Sequence, residues 1–109
     1  MIVLEKIVGY CNRIMEYLDR YEHNKESFIN DLMFQDACCM CVVQIGELVA
    51  QLSEEIKTVH KTIPWRAIKD TRNFYVHSYG AIDVSLVWDT LTEDIPQLKA
   101  ICCTLLEKK

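Results

Sequence analysis

With 109 residues the chain is expected to form one domain, 1–109, with room for a single modest core. Half of the residues are hydrophobic and 26% are charged, as in an ordinary soluble globular protein, and three Gly with two Pro are too few for a turn-rich all-β fold. A formal net charge of −4 argues against broad, nonspecific binding of nucleic acid. Glu5 and Lys6 interrupt Met1-Ile2-Val3-Leu4, so no secretory signal is expected. The longest unbroken apolar run, Ala37 to Val43, is far shorter than the roughly 20 residues of a membrane helix. A cytoplasmic protein without a membrane partner is the expectation.

In chain order, Val3, Ile7, Tyr10/Cys11, Ile14, Leu18 and Tyr21 recur at three- and four-residue steps and predict a first amphipathic helix. The polar stretch Glu22 to Ser27 reads as a connection. Ser27 or Asn30 is the expected cap of a second helix, whose buried stripe is Leu32, Cys38, Cys41/Val42, Ile45, Leu48/Val49 and Leu52. Ser53-Glu54-Glu55-Ile56 marks a new helix start or a kink. Pro64 suits the first turn of a third helix, from Trp65 to about Ser78, which Gly80 stops. Asp83 is the expected cap of a fourth, with Val84, Val87, Leu91, Ile95, Leu98, Cys102 and Leu105 facing inward. Pro96 is expected to kink or split it near Glu93 to Ile95. The economical fold is all-α, an antiparallel four-helix bundle.

Four of the six cysteines form adjacent pairs, Cys38/Cys39 and Cys102/Cys103. Neighbours on a helix point about 100° apart, which suits neither an unstrained disulfide nor paired metal ligands. Zinc-finger Cys-x2-Cys spacing is absent, so reduced thiols serving as small core hydrophobes are expected. Whether Cys102 and Cys103 lie in the monomer core or at a subunit interface is left open by the sequence.

Basic residues are concentrated in one place. Residues 57–77 hold Lys57, Lys61, Arg66, Lys69 and Arg72 against Asp70 alone, a local charge of +4, whereas the remainder carries seven basic and fifteen acidic residues. At the end of this stretch lies Arg72-Asn73-Phe74-Tyr75-Val76-His77-Ser78-Tyr79. Arg is a permanent cation whose planar fork fits phosphate, and His exchanges protons near neutrality. Phosphodiester cleavage without a metal needs those two functions. Arg72 and His77 stand about 140° apart around a helix, while Asn73 and His77 share a face at i, i+4. One helix supplies a single Arg and a single His; a two-fold dimer doubles both and forms a cleft between them. Taken alone, the pair also reads as surface or capping residues, and the basic stretch as a solvated face.

Pro64-Trp65-Arg66, the Arg-x4-His-x-Tyr motif at Arg72, His77 and Tyr79, Gly80, Asp83 and Val87-Trp88-Asp89-Thr90 together resemble the HEPN superfamily. More narrowly they resemble the HepT-like toxins of HEPN/MNT toxin–antitoxin pairs, and Ile45-Gly46-Glu47 is similar to an Ile-Gly-Glu of that family. The resemblance implies a helical homodimer and a metal-independent endoribonuclease that requires no cofactor. It implies that Arg72 holds the scissile phosphate, His77 acts as general acid or base and Asn73 supports the cleft. Tyr79 matches the tyrosine that a cognate MNT-type nucleotidyltransferase antitoxin modifies with AMP. Glu47 stands on a largely apolar helix, where it either reaches the cleft to pair with Arg72 or hold His77, or faces solvent. The alternative expectation is a noncatalytic helical partner that the nucleotidyltransferase binds and modifies.

Overall fold

The computed structural model of the chain describes residues 2–66, 68–69 and 84–107, and all the regular structure among them is helical. Helix α1 (Ile2–Arg20) buries Leu4, Ile7, Cys11, Ile14 and Leu18; the last four belong to the expected stripe, while Leu4 is buried where Val3 was expected and Val3 is half-buried. It ends where Glu22 and His23 take left-handed φ values of 56° and 53°. Exposed His23 bonds Asp19 Oδ1 through Nε2 at 2.7 Å, one turn back on α1.

The second expected helix is two helices. Asn24, not Ser27 or Asn30, caps the short α2 (Lys25–Asn30), its side chain accepting from Ser27 N–H. Asp31 interrupts the path in extended backbone and caps α3 (Leu32–Val49). Its Oδ1 accepts from Met33 N–H at 2.9 Å and Phe34 N–H at 3.2 Å. That cap sets the rotation of α3: Phe34, Cys38, Cys41, Val42, Ile45 and Val49 face inward, and Leu32, expected in the stripe, is 72% exposed. Periodicity beginning at Leu32 selected a residue before the first turn had fixed its face.

By length and composition α3 is apolar enough to cross a membrane, although its longest unbroken apolar run is only Ala37 to Val43. Its polar interruptions are few, chiefly Gln35, Asp36, Gln44 and Glu47. In the fold its apolar side is the bundle core. Tyr21, just past α1, stacks on Phe34 at 3.9 Å between centroids. Near the other end Lys6, Gly9, Tyr10 and Arg13 border the same groove as Gln44 and Leu48, so α1 and α3 run antiparallel.

Ser53 Oγ accepts from Ile56 N–H and caps α4 (Glu54–Val59), as its sequence indicated. Trp65, Arg66, Ile68 and Lys69 are helical, and Pro64 C=O accepts from Ile68 N–H at 3.1 Å, the position expected for proline at a helix entrance. The rest of that third helix, together with Gly80 and Asp83, lies outside the described residues. Next come α5 (Val84–Asp89), a π-helical turn (Thr90–Asp94) and α6 (Ile95–Glu107). Pro96 has no N–H to donate, and the wider turn before it replaces the expected break: Ile95 N–H bonds Thr90 C=O, five residues back. Thr90 and Thr92 hydroxyls donate to the carbonyls of Leu86 and Trp88.

Phe28, Phe34 and Trp88 join α2, α3 and α5 in one aromatic cluster, with Phe28 and Phe34 edge to face at 5.0 Å. All six cysteines are free, and Cys11, Cys38, Cys39, Cys41 and Cys102 are buried. Burial pushes the Cys11, Cys38 and Cys39 thiols up to about 12 and Cys102 to about 11, so they remain neutral core groups. Cys102 belongs to the core of the single chain, beside Cys11 of α1. The chain is therefore an all-α bundle.

Candidate functional site

The site begins with how α4 meets the next helix. Glu54 and Glu55 in the first turn of α4 suit its positive end, and the helix stops at His60, whose φ/ψ of −105°/60° turns the chain. The last carbonyls of a helix have no partner within it. Here Trp65 provides one: its indole N–H is shared between Lys57 C=O at 3.2 Å and His60 C=O at 3.1 Å. Ile63 and Ile68, both buried, fasten the same junction to the core. The Trp65 clamp thus holds two basic segments, one ending α4 and one opening the following helix, in a fixed relation.

Between them lies a cleft of about 600 Å³ lined by Lys57, Trp65, Arg66 and Lys69, together with Gly46 and Val49 of α3 and Ala50 just past its end. Arg66 and Lys69 are exposed and three residues apart, the spacing of neighbours on one helix face. Lys57 is more enclosed, its side chain 21% exposed. Its carboxylate neighbour Glu54 stands 3.8 Å away and is 90% exposed, a pair that solvent screens strongly. No carboxylate is among the described lining residues. Within an acidic chain this concavity offers three cations to one ligand, an arrangement suited to phosphate.

Glu47 is exposed on α3, directly after the buried Gly46 that borders the cleft. Arg72, Asn73, His77 and Tyr79 lie outside the described residues, and with them the expected contacts of Glu47 to Arg72 and His77. Sequence reasoning had marked Lys57, Arg66 and Lys69 in the basic stretch, able to hold a few phosphates locally, but had passed over Trp65 as the residue that joins them. Their signal was present in the charge cluster and in Pro64-Trp65, but nothing in the sequence tied Trp65 to the backbone of α4.

The sequence model of the family described as "Ribonuclease HepT-like" matches residues 7–105. The chain belongs to that HepT-like family. Among its relatives, a protein of Caldanaerobacter subterraneus named "Putative RNase" is 27% identical over 106 residues, covering 97% of this chain and 93% of the relative. A "Probable ribonuclease HepT" of Thermococcus cleftensis is 34% identical over 83 residues, 68% of this chain and 76% of that protein. In Methanocaldococcus jannaschii, a "Gamma-glutamylcyclotransferase and putative RNase" is 27% identical over 104 residues; the match takes in 91% of this chain but 47% of that longer protein. No solved structure matches the chain. The HepT-like match takes in α3, the basic cleft and the Arg72–Tyr79 motif in one span.

Proposed function

We propose that this HepT-like protein is a metal-independent endoribonuclease, the toxin of a toxin–antitoxin pair, acting in the cytoplasm as a homodimer. The observation that carries the reading is the family match over residues 7–105, which includes the whole Arg72–Tyr79 motif. In the proposed reaction the RNA 2′-hydroxyl attacks the adjacent phosphorus. The O2′–P bond forms, the P–O5′ bond breaks, and the products are a 2′,3′-cyclic phosphate and a free 5′-hydroxyl. Arg72 holds the phosphoryl oxygens as negative charge builds there. His77 acts in proton transfer; with one His77 from each protomer facing the cleft, one takes the 2′ proton and the other supplies the proton to O5′. Asn73 and Glu47 support the pair. The nucleophile belongs to the substrate, so the step asks for no metal, and DNA, lacking the 2′-hydroxyl, is not cut.

Control of the toxin falls to Tyr79. A cognate MNT-type nucleotidyltransferase transfers AMP from ATP: the phenol oxygen bonds to the α-phosphorus and pyrophosphate leaves. The added phosphodiester places a negative charge on the motif that carries Arg72 and competes with RNA for that cation.

The test is cleavage of single-stranded RNA in the presence of EDTA. Wild-type protein is expected to cut, with His77→Ala and Arg72→Ala each slower by about 10²–10⁴-fold, the usual scale for losing a proton-transfer group. Equal cleavage by wild type and both variants overturns the assignment. Mass spectrometry of Tyr79 after coexpression with the neighbouring nucleotidyltransferase checks the switch, and an unmodified tyrosine removes it.

A further inference from the structure

We infer that the cleft lined by Lys57, Arg66 and Lys69 is a second phosphate site, which grips the RNA backbone away from the bond that is cut. The inference rests on the ribonuclease reading for its ligand and on geometry for its location. Three cations from two helices converge on one concavity of about 600 Å³, with no carboxylate among the described residues that line it. Lys57 is partly enclosed, and the pair it makes with the 90% exposed Glu54 is screened by solvent, which leaves charge available to a ligand. Arg66 and Lys69 are exposed side by side at the rim.

The floor keeps the cleft open. Gly46, which has no side chain, and the small Val49 and Ala50 line it at the end of α3, leaving a groove rather than a ridge. Trp65 acts as a positioning residue. Its indole N–H holds Lys57 and His60 carbonyls, which fixes the distance between α4 and the basic turn that follows. In the sequence Lys69 precedes Arg72 by three residues. A protein of net charge −4 gains little long-range attraction for RNA, and a local grip of this kind supplies the affinity that overall charge does not.

The experiment compares Arg66→Gln/Lys69→Gln with Arg20→Gln/Lys25→Gln, which removes the same two kinds of charge from α1 and α2. Binding of a fluorescein-labelled single-stranded RNA is measured against salt in the His77→Ala background, and cleavage kinetics in the wild-type background. Each lost phosphate contact flattens log K against log[salt] by about 0.7 for single strands, equivalent to roughly fivefold in affinity at about 0.1 M salt. The cleft pair is expected to lower the slope by about 1.4 and weaken binding by about 25-fold. It raises KM and leaves kcat unchanged, the mark of binding lost equally from ground and transition states. Lys57→Gln is expected to act in the same direction, and the control pair to stay near wild type.

Equal salt slopes and KM values for the cleft and control pairs overturn the second site while leaving the ribonuclease intact. If no RNA is cut but binding still weakens only in the cleft variants, the cleft stands and the ribonuclease reading fails. A wild-type protein that neither binds nor cuts RNA overturns both.

Discussion

The aromatic end of the bundle and the basic cleft are built by opposite means. Around Phe28, Phe34 and Trp88, order comes from ring packing, backed by the Asn24 and Asp31 caps. Around Lys57, Arg66 and Lys69, Val49, Ile63 and Ile68 supply apolar burial among the described residues, and one indole N–H ties the two basic segments together. The first region secures stability and leaves its neighbours' exposed surface chemically plain. The second keeps charge at the surface and spends little of the core on itself. Stability and ligand binding are therefore expected to respond to different substitutions.

Phe34→Ala offers the most severe test of that separation. Removing a fully buried ring that stacks on Tyr21 and meets Phe28 edge-on is expected to cost about 3–5 kcal/mol. Urea unfolding measures the loss, while the salt slope for RNA in the folded fraction stays as in wild type; a changed slope joins the two regions into one unit. Asp31→Ala is smaller. It removes the acceptor of two α3 N–H groups and is expected to cost about 1 kcal/mol, within the range of about 0.5–2 for a lost helix cap, again read by urea midpoint. Burial first, and then the Asp31 carboxylate, holds the Tyr21 phenol above its ordinary pKa. Spectrophotometric titration of the Asp31→Ala protein should therefore show a tyrosine titrating at lower pH than in wild type.

Gly9→Ala is the mildest change. Gly9 lies inside α1, and a Cβ there meets nothing within 4 Å. Helix propensity alone then governs the outcome, a gain of about 0.8–1 kcal/mol at the urea midpoint. A loss of stability instead, growing with protein concentration, places a second copy of the chain against this face of α1.

Particular residues show where reading the sequence succeeded. Ile7, Cys11, Ile14 and Leu18 on α1, and Val87, Leu91, Ile95, Leu98 and Cys102 towards the end of the chain, were recognisable as core because apolar residues repeated at three- and four-residue steps mark one face. Leu32 was misjudged, and Phe34 not named, because a short helix and a cap intervened, and two residues at a helix start share too few turns to define a stripe. Pro96 was read correctly as a disturbance. The form it took, a π turn whose Thr90 and Thr92 hydroxyls serve the backbone, depends on packing on both sides of it.

Function divides in the same way. The sequence alone set the helical class, the inward face of the long helices, the neutral role of the cysteines and the motif that leads to the HepT-like family. These depend on residue type and spacing along one helix, which local geometry fixes. Only the tertiary structure decided that Asp31 splits α2 from α3, that Cys102 is core to the single chain, and that Lys57 and Lys69 serve one cleft. Those outcomes depend on contacts between segments, above all the Trp65 indole reaching back eight residues to a carbonyl that the sequence pattern cannot mark.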